Sequence, residues 1–359
     1  MRAFVFFALL WLSIALLRAP AAAYPTPRDG TYVIHQFRFQ DGETLPNLRL
    51  HYVTFGTPRA DASGKTTNAV IVLHGTGGST KQFVTARFAG VLFSPGGLLD
   101  ARKYFIIIPD GIGHGDSSKP SDGLRAKFPR YGYHDMVRAV HLLVTDGLHV
   151  SHLRLVMGTS MGGMQTWMWG EMYPTMMDAL MPLASLPVEI SGRNRIWRDM
   201  IAGAITGDPA YHNGNYASEP PRAMREAADI LWFMGSAPLY DQRIMPTGAA
   251  ADAYYKTKIV LLPQHYDAND LLYAVRASRD YNPEPDLDTI QAPLYAINSA
   301  DDQINPPELN IVQREITKVK RGRFILIPIG PQTRGHGTHT LPRAWSEYLR
   351  QLLQETAGR

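Results

Sequence analysis

The feature that most constrains the fold of this chain is the pentapeptide Gly158-Thr159-Ser160-Met161-Gly162. The apolar run 153–157 before it predicts a buried strand, and residues 164–173 after it predict a helix. Gly-x-Ser-x-Gly between a strand and a helix is typical of a tight turn that exposes a serine nucleophile. Glycine stands on both sides because such a turn leaves hardly any room for side chains, and the following helix directs its N–H groups toward developing negative charge. We therefore predict that Ser160 is the catalytic nucleophile.

The composition allows a sizeable hydrophobic core and does not indicate nucleic acid as a partner. The chain has 359 residues, of which 45% are hydrophobic, enough for one large α/β domain with an insertion or for two smaller domains. The net charge is +4, and the basic residues are scattered without a Lys/Arg block, so we predict no nucleic-acid partner. The absence of cysteine excludes disulfides, thiolate metal sites and cysteine nucleophiles.

Residues 1–23 have the pattern of a secretory signal peptide. Met1-Arg2 gives a short positive start, residues 3–17 are apolar, and Ala21-Ala22-Ala23 supplies small residues for cleavage before Tyr24. An uncleaved membrane anchor is disfavoured, because the apolar run is shorter than the ~20 residues that a spanning helix needs. We expect a periplasmic or secreted protein that has no stable membrane anchor after cleavage.

Short apolar strands alternate with helices in two parts of the chain, 24–188 and 289–359. Such strands are typical of an α/β fold with a mainly parallel central sheet and helices on both faces, which binds its ligands at the carboxyl ends of the strands. Residues 189–288 lack this alternation, and we predict that they form a helical cap inserted after the sixth core strand. The predicted core strands after the first two are 69–73, 104–108, 153–157, 179–183, 294–297 and 324–327.

A serine nucleophile needs a general base, and the base needs a carboxylate that orients it. In the order serine, acid, histidine, the acid follows the seventh strand, where Asp301 and Asp302 compete. We favour Asp302, because Pro306 begins the next helix and leaves Asp302 on the loop that faces the site.

The histidine should follow the eighth strand, where the sequence offers His336 and His339. We favour His336, because the preceding Gly335 leaves its imidazole room to reach the serine. A metal ion bound by both histidines is disfavoured, since no acidic residue or third histidine lies nearby in sequence. We predict neither a metal nor a cofactor.

The transition state also needs two backbone N–H donors for its oxyanion. The N–H after the nucleophile belongs to Met161. The second donor should come from the loop His74-Gly75-Thr76-Gly77-Gly78, where we favour Thr76 over Gly75 and Gly77.

These motifs resemble the homoserine O-acetyltransferase branch of the α/β-hydrolase fold, over about residues 48–353. The resemblance implies the triad Ser160, Asp302 and His336, a serine that is acetylated by acetyl-CoA and passes the acetyl group to an alcohol, and a homodimer formed through the cap. The motifs that carry it are Ser160-Met161-Gly162-Gly163-Met164-Gln165, Gly207-Asp208-Pro209, Gly214-Asn215-Tyr216, Asp302-Gln303-Ile304-Asn305-Pro306 and Gly335-His336.

The predicted substrate site departs from that family. Ala202 stands where the family carries a cap arginine that binds the substrate carboxylate, and residues 111–120 replace its Gly-Gly-Cys loop. Arg195 and Arg198 lie one to two helical turns earlier, and we expect both to be solvated. Acetyl-CoA is a cytosolic metabolite, which conflicts with export. We therefore expect poor homoserine acetyltransferase activity.

The resulting hypothesis is an exported serine hydrolase that acts on a small-molecule acyl ester with water as the acceptor. An acyltransferase with an alcohol or amine acceptor uses the same catalytic residues, so this alternative stays open. A non-catalytic binding protein on the same scaffold is disfavoured, because no member of the triad is missing.

We predict that the mature protein begins at Tyr24, because small residues precede that position and an apolar run precedes them. Intact-mass analysis of protein purified from its native host tests this. A mass that includes residues 1–23 would instead support a retained anchor.

Overall fold

The computed structural model describes residues 24–358, and the predicted signal peptide lies outside them. Within this part of the chain, no helix combines the length and the apolarity needed to cross a membrane.

A single eight-stranded sheet forms the centre of the molecule, with strand order β1-β2-β4-β3-β5-β6-β7-β8. β2 pairs antiparallel with both β1 and β4, and the pairs from β4 to β8 are all parallel. The strands are β1 (Arg28–Arg38), β2 (Thr44–Phe55), β3 (Ala69–Leu73), β4 (Phe105–Pro109), β5 (Leu155–Thr159), β6 (Leu180–Leu183), β7 (Leu294–Ser299) and β8 (Gly322–Ile327). The predicted mainly parallel α/β fold is confirmed.

Helices cover both faces of this sheet. Ala69, Ile71 and Leu73 of β3 point to one face, where they join apolar residues of α2 and α3, and Val70 and Val72 join α1 and α10 on the other. Because successive side chains of a strand alternate between faces, a strand buried on both sides must be continuously apolar. The core helices are α1 (Ala89–Leu92), α2 (Tyr133–Leu142), α3 (Met161–Met172), α9 (Ile311–Glu315) and α10 (Pro342–Glu355).

Five helices lie between β6 and β7, in the segment where we predicted a cap. They are α4 (Gly192–Gly207), α5 (Pro221–Gly235), α6 (Pro238–Ile244), α7 (Gly248–Thr257) and α8 (Ala268–Ala277). Apolar residues of α4, α5 and α8 form a cluster of their own, separate from the two clusters on the sheet. The sequence predicted these three helices but not α6 and α7, because neither buries a residue and so neither carries an apolar stripe.

The turn from β5 into α3 places Ser160 in a strained backbone conformation, with φ 57° and ψ −115°. A Cβ atom at Gly158 would lie 2.1 Å from the carbonyl oxygen of Gly162, and one at Gly162 would lie 2.1 Å from the carbonyl oxygen of Leu73. Both approaches are far shorter than a carbon–oxygen contact allows. The two glycines of the pentapeptide are therefore steric requirements of the turn.

We predict that Gly162→Ala lowers the free energy of unfolding by about 1–3 kcal/mol, because the new methyl group displaces the backbone of β3. Gly203→Ala is the matched control, since a Cβ there meets nothing within 4 Å and the residue is exposed on α4. Alanine should stabilise that helix by up to about 1 kcal/mol. Chemical denaturation of both variants measures the difference, and equal stabilities would contradict the steric account.

Candidate active site

The structure brings the three predicted catalytic side chains into one hydrogen-bonded chain. Ser160 Oγ lies 2.8 Å from Nε2 of His336, and Nδ1 of the same ring lies 2.8 Å from Oδ2 of Asp302. Ser160 directly follows β5, Asp302 lies in the loop after β7, and His336 lies in the loop after β8, so all three stand beyond the carboxyl edge of the sheet. With Nδ1–H donated to the carboxylate, Nε2 is left as an acceptor for the serine proton.

Asp302 is fully buried, and its surroundings favour its ionised form. Its Oδ1 accepts the backbone N–H groups of Ile304 and Asn305, at 2.8 and 3.2 Å, and the Asn305 amide donates to Oδ2. Burial acts to raise the pKa of this carboxyl, but the neighbouring His336 ring and these hydrogen bonds lower the pKa below its ordinary value. The carboxylate is therefore charged at neutral pH and can stabilise an imidazolium.

Asp301 has a different set of partners and does not contact the histidine ring. Its carboxylate accepts the Ser299 hydroxyl at the end of β7 and, at 2.9 Å, the backbone N–H of Gly335. Asp301 thus ties the loop that carries His336 to the end of β7. Of the two neighbouring acids, only Asp302 hydrogen-bonds to the His336 ring, and Asp301 bonds to the backbone before it.

His339 lies beside the predicted general base but outside the hydrogen-bonded chain. Its ring packs edge-on against His336, with centroids 4.9 Å apart, and its Nδ1 has no hydrogen-bond partner among residues 24–358. Burial, followed by the proximity of His336, holds the pKa of His339 well below its ordinary value. The ring therefore stays neutral and adds no charge beside the base.

The loop after β3 lies directly against the nucleophile. A Cβ at Gly75 would stand 3.3 Å from the Ser160 Cβ, so the chain before Thr76 passes close to the serine. The Gln82 side chain fixes this loop to the end of β5, because it accepts the Gly75 N–H and donates to the Thr159 hydroxyl. Sequence reasoning missed Gln82, which carries no motif of its own.

Met161 is the first residue of α3, so its N–H belongs to the unpaired first turn of that helix. His74 supports the opposite side of the predicted oxyanion hole. Its Nδ1 contacts the carbonyl oxygen of Gly75, and its Nε2 accepts the N–H of Gly111. Burial lowers the pKa of His74, which keeps the ring neutral and Nε2 free to accept.

The comparison with known proteins agrees with this geometry. The sequence profile described as alpha/beta hydrolase fold matches residues 68–320. The chain belongs to the alpha/beta hydrolase fold family. Homoserine O-acetyltransferase of Chlorobaculum parvum is 30% identical over 346 residues, which cover 88% of this chain and 93% of that protein. The predicted homoserine O-acetyltransferase-like branch is thereby confirmed.

Solved structures in this alpha/beta hydrolase family share the fold at low sequence identity. An acetylester hydrolase from Corynebacterium glutamicum matches with a TM-score of 0.80 and 20% identity, covering 91% of this chain and 96% of that one. Homoserine O-acetyltransferase from Bacillus anthracis matches with a TM-score of 0.78 and 18% identity, covering 92% and 98%. The chain is thus an enzyme of a superfamily whose members here are esterases and acyltransferases.

One expectation about the alpha/beta hydrolase cap is wrong. We expected Arg198 to be solvated, but it is only 3% exposed. It lies one helical turn before Ala202, on the same face of α4, and that face is buried among the cap helices and turned toward the core. Position-by-position comparison with the family missed Arg198, although its spacing of four residues from Ala202 places both on one face of the helix. Arg195, by contrast, has a one-third exposed side chain and pairs with Asp199.

The buried Arg198 guanidinium has only neutral partners within the described part of the chain. It donates to the Asn194 amide oxygen at 3.0 Å and to the Ser278 hydroxyl at 3.2 Å, and it stacks on the Trp197 ring. The Tyr133 hydroxyl faces both Arg198 and the Thr76 hydroxyl, although neither approach has hydrogen-bond geometry. A cation and two unpaired hydroxyls therefore stand beside the predicted oxyanion loop.

The described residues contain one group of three side chains close enough to hold a metal ion, formed by His51, Asp110 and Asp116. Asp110 already accepts the N–H groups of Thr80 and Asp116 and contacts Nδ1 of His51. Through these bonds, the Asp110 carboxylate joins β2, the end of β4 and the loop after β3. The group therefore serves as a structural hydrogen-bond cluster.

We predict that His336→Ala lowers kcat/KM for ester turnover by several orders of magnitude, as does Ser160→Ala, because the members of a triad act as a unit. His339→Ala should reduce it by less than about tenfold, since His339 makes no bond to the serine or the acid. Steady-state kinetics, with circular dichroism to verify folding, test the pair. An inactive His339→Ala beside an active His336→Ala would reverse the assignment.

Proposed function

We propose that this protein is a serine ester hydrolase that works through a covalent acyl-enzyme, with water as the final acceptor. The observation that carries the proposal is the hydrogen-bonded chain from Ser160 Oγ through His336 to the buried Asp302 carboxylate. This arrangement provides a nucleophile, a base and a charged orienting group at the distances that proton transfer requires.

In the first half of the reaction, Ser160 Oγ attacks the ester carbonyl while its proton moves to Nε2 of His336. The backbone N–H groups of Met161 and Thr76 then stabilise the oxyanion, and each such donor is typically worth about 3 kcal/mol of the barrier. The imidazolium returns its proton to the leaving alcohol, and the acyl group stays on the serine. In the second half, His336 takes a proton from water while the water oxygen attacks the acyl-enzyme, and the imidazolium then gives that proton to Ser160 Oγ as the serine–acyl bond breaks and the acid leaves.

The buried charge of Arg198 indicates which class of ester the proposed enzyme binds. A buried guanidinium with no carboxylate partner is costly, and the cost falls when an anion binds beside it. Carboxylates suit this role, because the planar guanidinium can donate two parallel hydrogen bonds to them. The proposed substrate therefore carries a carboxylate close to the ester, on either its acyl or its alcohol part.

Water as the acceptor is supported by the departures from the transferase pattern. Ala202 leaves the family's arginine position without a charge, and the loop 111–120 differs from the family's Gly-Gly-Cys loop. The predicted signal peptide supports a site of action outside the cytoplasm, in the periplasm or beyond the cell, where acetyl-CoA is not supplied.

Acyl transfer to an alcohol is the second candidate, and Arg198 is the observation that favours it. A cationic side chain on the same face of α4 can hold the carboxylate of an acceptor as well as that of an ester. Relatives named homoserine O-acetyltransferase point the same way. The two functions differ only in whether water or an alcohol attacks the acyl-enzyme.

The deciding experiment offers one acyl ester to the mature enzyme with and without an excess of homoserine, and identifies the products by mass. If the enzyme is a hydrolase, free acid forms at the same rate with and without homoserine. If it is a transferase, O-acyl homoserine is the main product when homoserine is present. A separate reaction with acetyl-CoA and homoserine should give little product if the first proposal holds.

We predict that Arg198→Ala lowers kcat/KM by a hundredfold or more for an ester that carries a carboxylate, because an unpaired buried charge costs about 3–5 kcal/mol. For a neutral ester of similar shape, kcat/KM should change by less than about tenfold. Suitable pairs are 4-nitrophenyl hemisuccinate with 4-nitrophenyl butyrate, and acetylated 4-hydroxybutyrate with butyl acetate.

Arg195→Ala is the matched control, since Arg195 lies on the same helix but pairs with Asp199 at the surface. This substitution should leave kcat/KM unchanged for all four esters. Equal losses on charged and neutral esters in Arg198→Ala would mean that Arg198 only supports the cap and does not bind the substrate.

A further inference from the structure

A cavity of about 550 Å³ lies between the core and the cap. The core contributes the segment that ends at Tyr131, and the cap contributes the end of α4, the turn after it and one side of α8. We call this cavity the arginine groove. The lining residues used below are Arg130, Tyr131, Tyr211, Tyr273, Arg276 and Arg279.

The arginine groove concentrates positive charge without a matching acid. None of the described residues that line it is acidic. Arg279 pairs with Asp199 at 2.7 Å, outside the lining, whereas the guanidinium groups of Arg130 and Arg276 have no ion-pair or hydrogen-bond partner among residues 24–358. Burial lowers the pKa of Arg276, and the charges of Arg279 and Arg130 lower it further. The positive charges of the three guanidinium groups therefore repel one another in the groove.

Three other arginines of the cap each have an acidic partner. Arg195, Arg222 and Arg225 each face an acidic residue one turn ahead on the same helix. Pairs with this spacing are the ordinary way to place arginine on a helix surface. Arg276 lies in the last turn of α8, has no acidic partner of this kind in the described part of the chain and lines the cavity instead.

Aromatic rings form the apolar wall of the arginine groove. Tyr131 and Tyr273 lie with their centroids 6.1 Å apart and their planes at 31°. The Tyr273 hydroxyl donates to the carbonyl oxygen of Phe128, and the Tyr211 hydroxyl donates to the Asn269 side chain. With these hydroxyls engaged, the rings are the surface that Tyr211 and Tyr273 can offer to a ligand.

From these observations, we infer that the arginine groove binds a small organic phosphate monoester, with its phosphate on Arg276 and Arg130 and its organic part against the tyrosine rings. Two unpaired guanidinium groups match the two charges of a phosphate monoester, and each can donate two hydrogen bonds to it. Because the groove is built from both core and cap, a bound ligand would link the two. The site is separate from Ser160 and does not depend on the proposed ester hydrolysis.

The test is isothermal titration calorimetry on the mature chain carrying Ser160→Ala, which removes turnover. The probes are phenyl phosphate, inorganic phosphate and phenol. We expect phenyl phosphate to bind more tightly than inorganic phosphate, phenol to bind much more weakly, and affinity to fall as salt is raised. Arg276→Ala should weaken phenyl phosphate binding by tenfold or more, because it removes charge-assisted hydrogen bonds.

Arg222→Ala is the control, since that arginine is paired and lies elsewhere on the cap. It should bind phenyl phosphate like the parent, and Arg276→Gln should behave like Arg276→Ala if the charge is what matters. Thermal unfolding verifies that each variant is folded. No binding of phenyl phosphate at millimolar concentration, or equal binding by Arg276→Ala and the parent, would overturn the inference.

A phosphate monoester could also belong to a lipid. Sedimentation with vesicles containing phosphatidic acid separates the two sources. Binding of soluble phenyl phosphate supports the inference, whereas binding to vesicles alone would overturn it.

Discussion

Ser160 holds a backbone conformation that costs a non-glycine residue about 1–3 kcal/mol, and the sheet around it supplies the constraint. The Ser160 N–H donates to Leu183 at the end of β6, and α3 begins so close to β3 that no side chain fits at Gly162. Strands on both sides therefore fix the position of the nucleophile. The other parts of the site are placed relative to this turn.

The loops that meet Ser160 are held by hydrogen bonds that do not themselves take part in catalysis. Gln82 joins the loop after β3 to Thr159, Asn305 supports Asp302, and Asp301 anchors the chain before His336. Such bonds keep the catalytic groups near their productive geometry, where small displacements cost much of the rate. The cap adds one buried positive charge, that of Arg198, beside the predicted oxyanion loop.

The apolar runs predicted the core strands well, because strands buried on both faces must be apolar throughout. The helices α6 and α7 were not predictable in this way, because they bury nothing. Choosing between Asp301 and Asp302 rested on loop position and family resemblance, since neighbouring acids differ only in the partners that the fold gives them. Arg198 was misjudged because its burial depends on how α4 packs against α8, which sequence periodicity alone does not determine.

Trapping the covalent acyl-enzyme on Ser160 tests whether this residue is the nucleophile. The mature enzyme is mixed with 4-nitrophenyl acetate, quenched with acid within the first turnover, digested and analysed by mass spectrometry. We predict one added acetyl group on the peptide that contains Ser160, and none in Ser160→Ala. An acetyl group on another residue, or turnover by Ser160→Ala at the parent rate, would show that Ser160 is not the nucleophile.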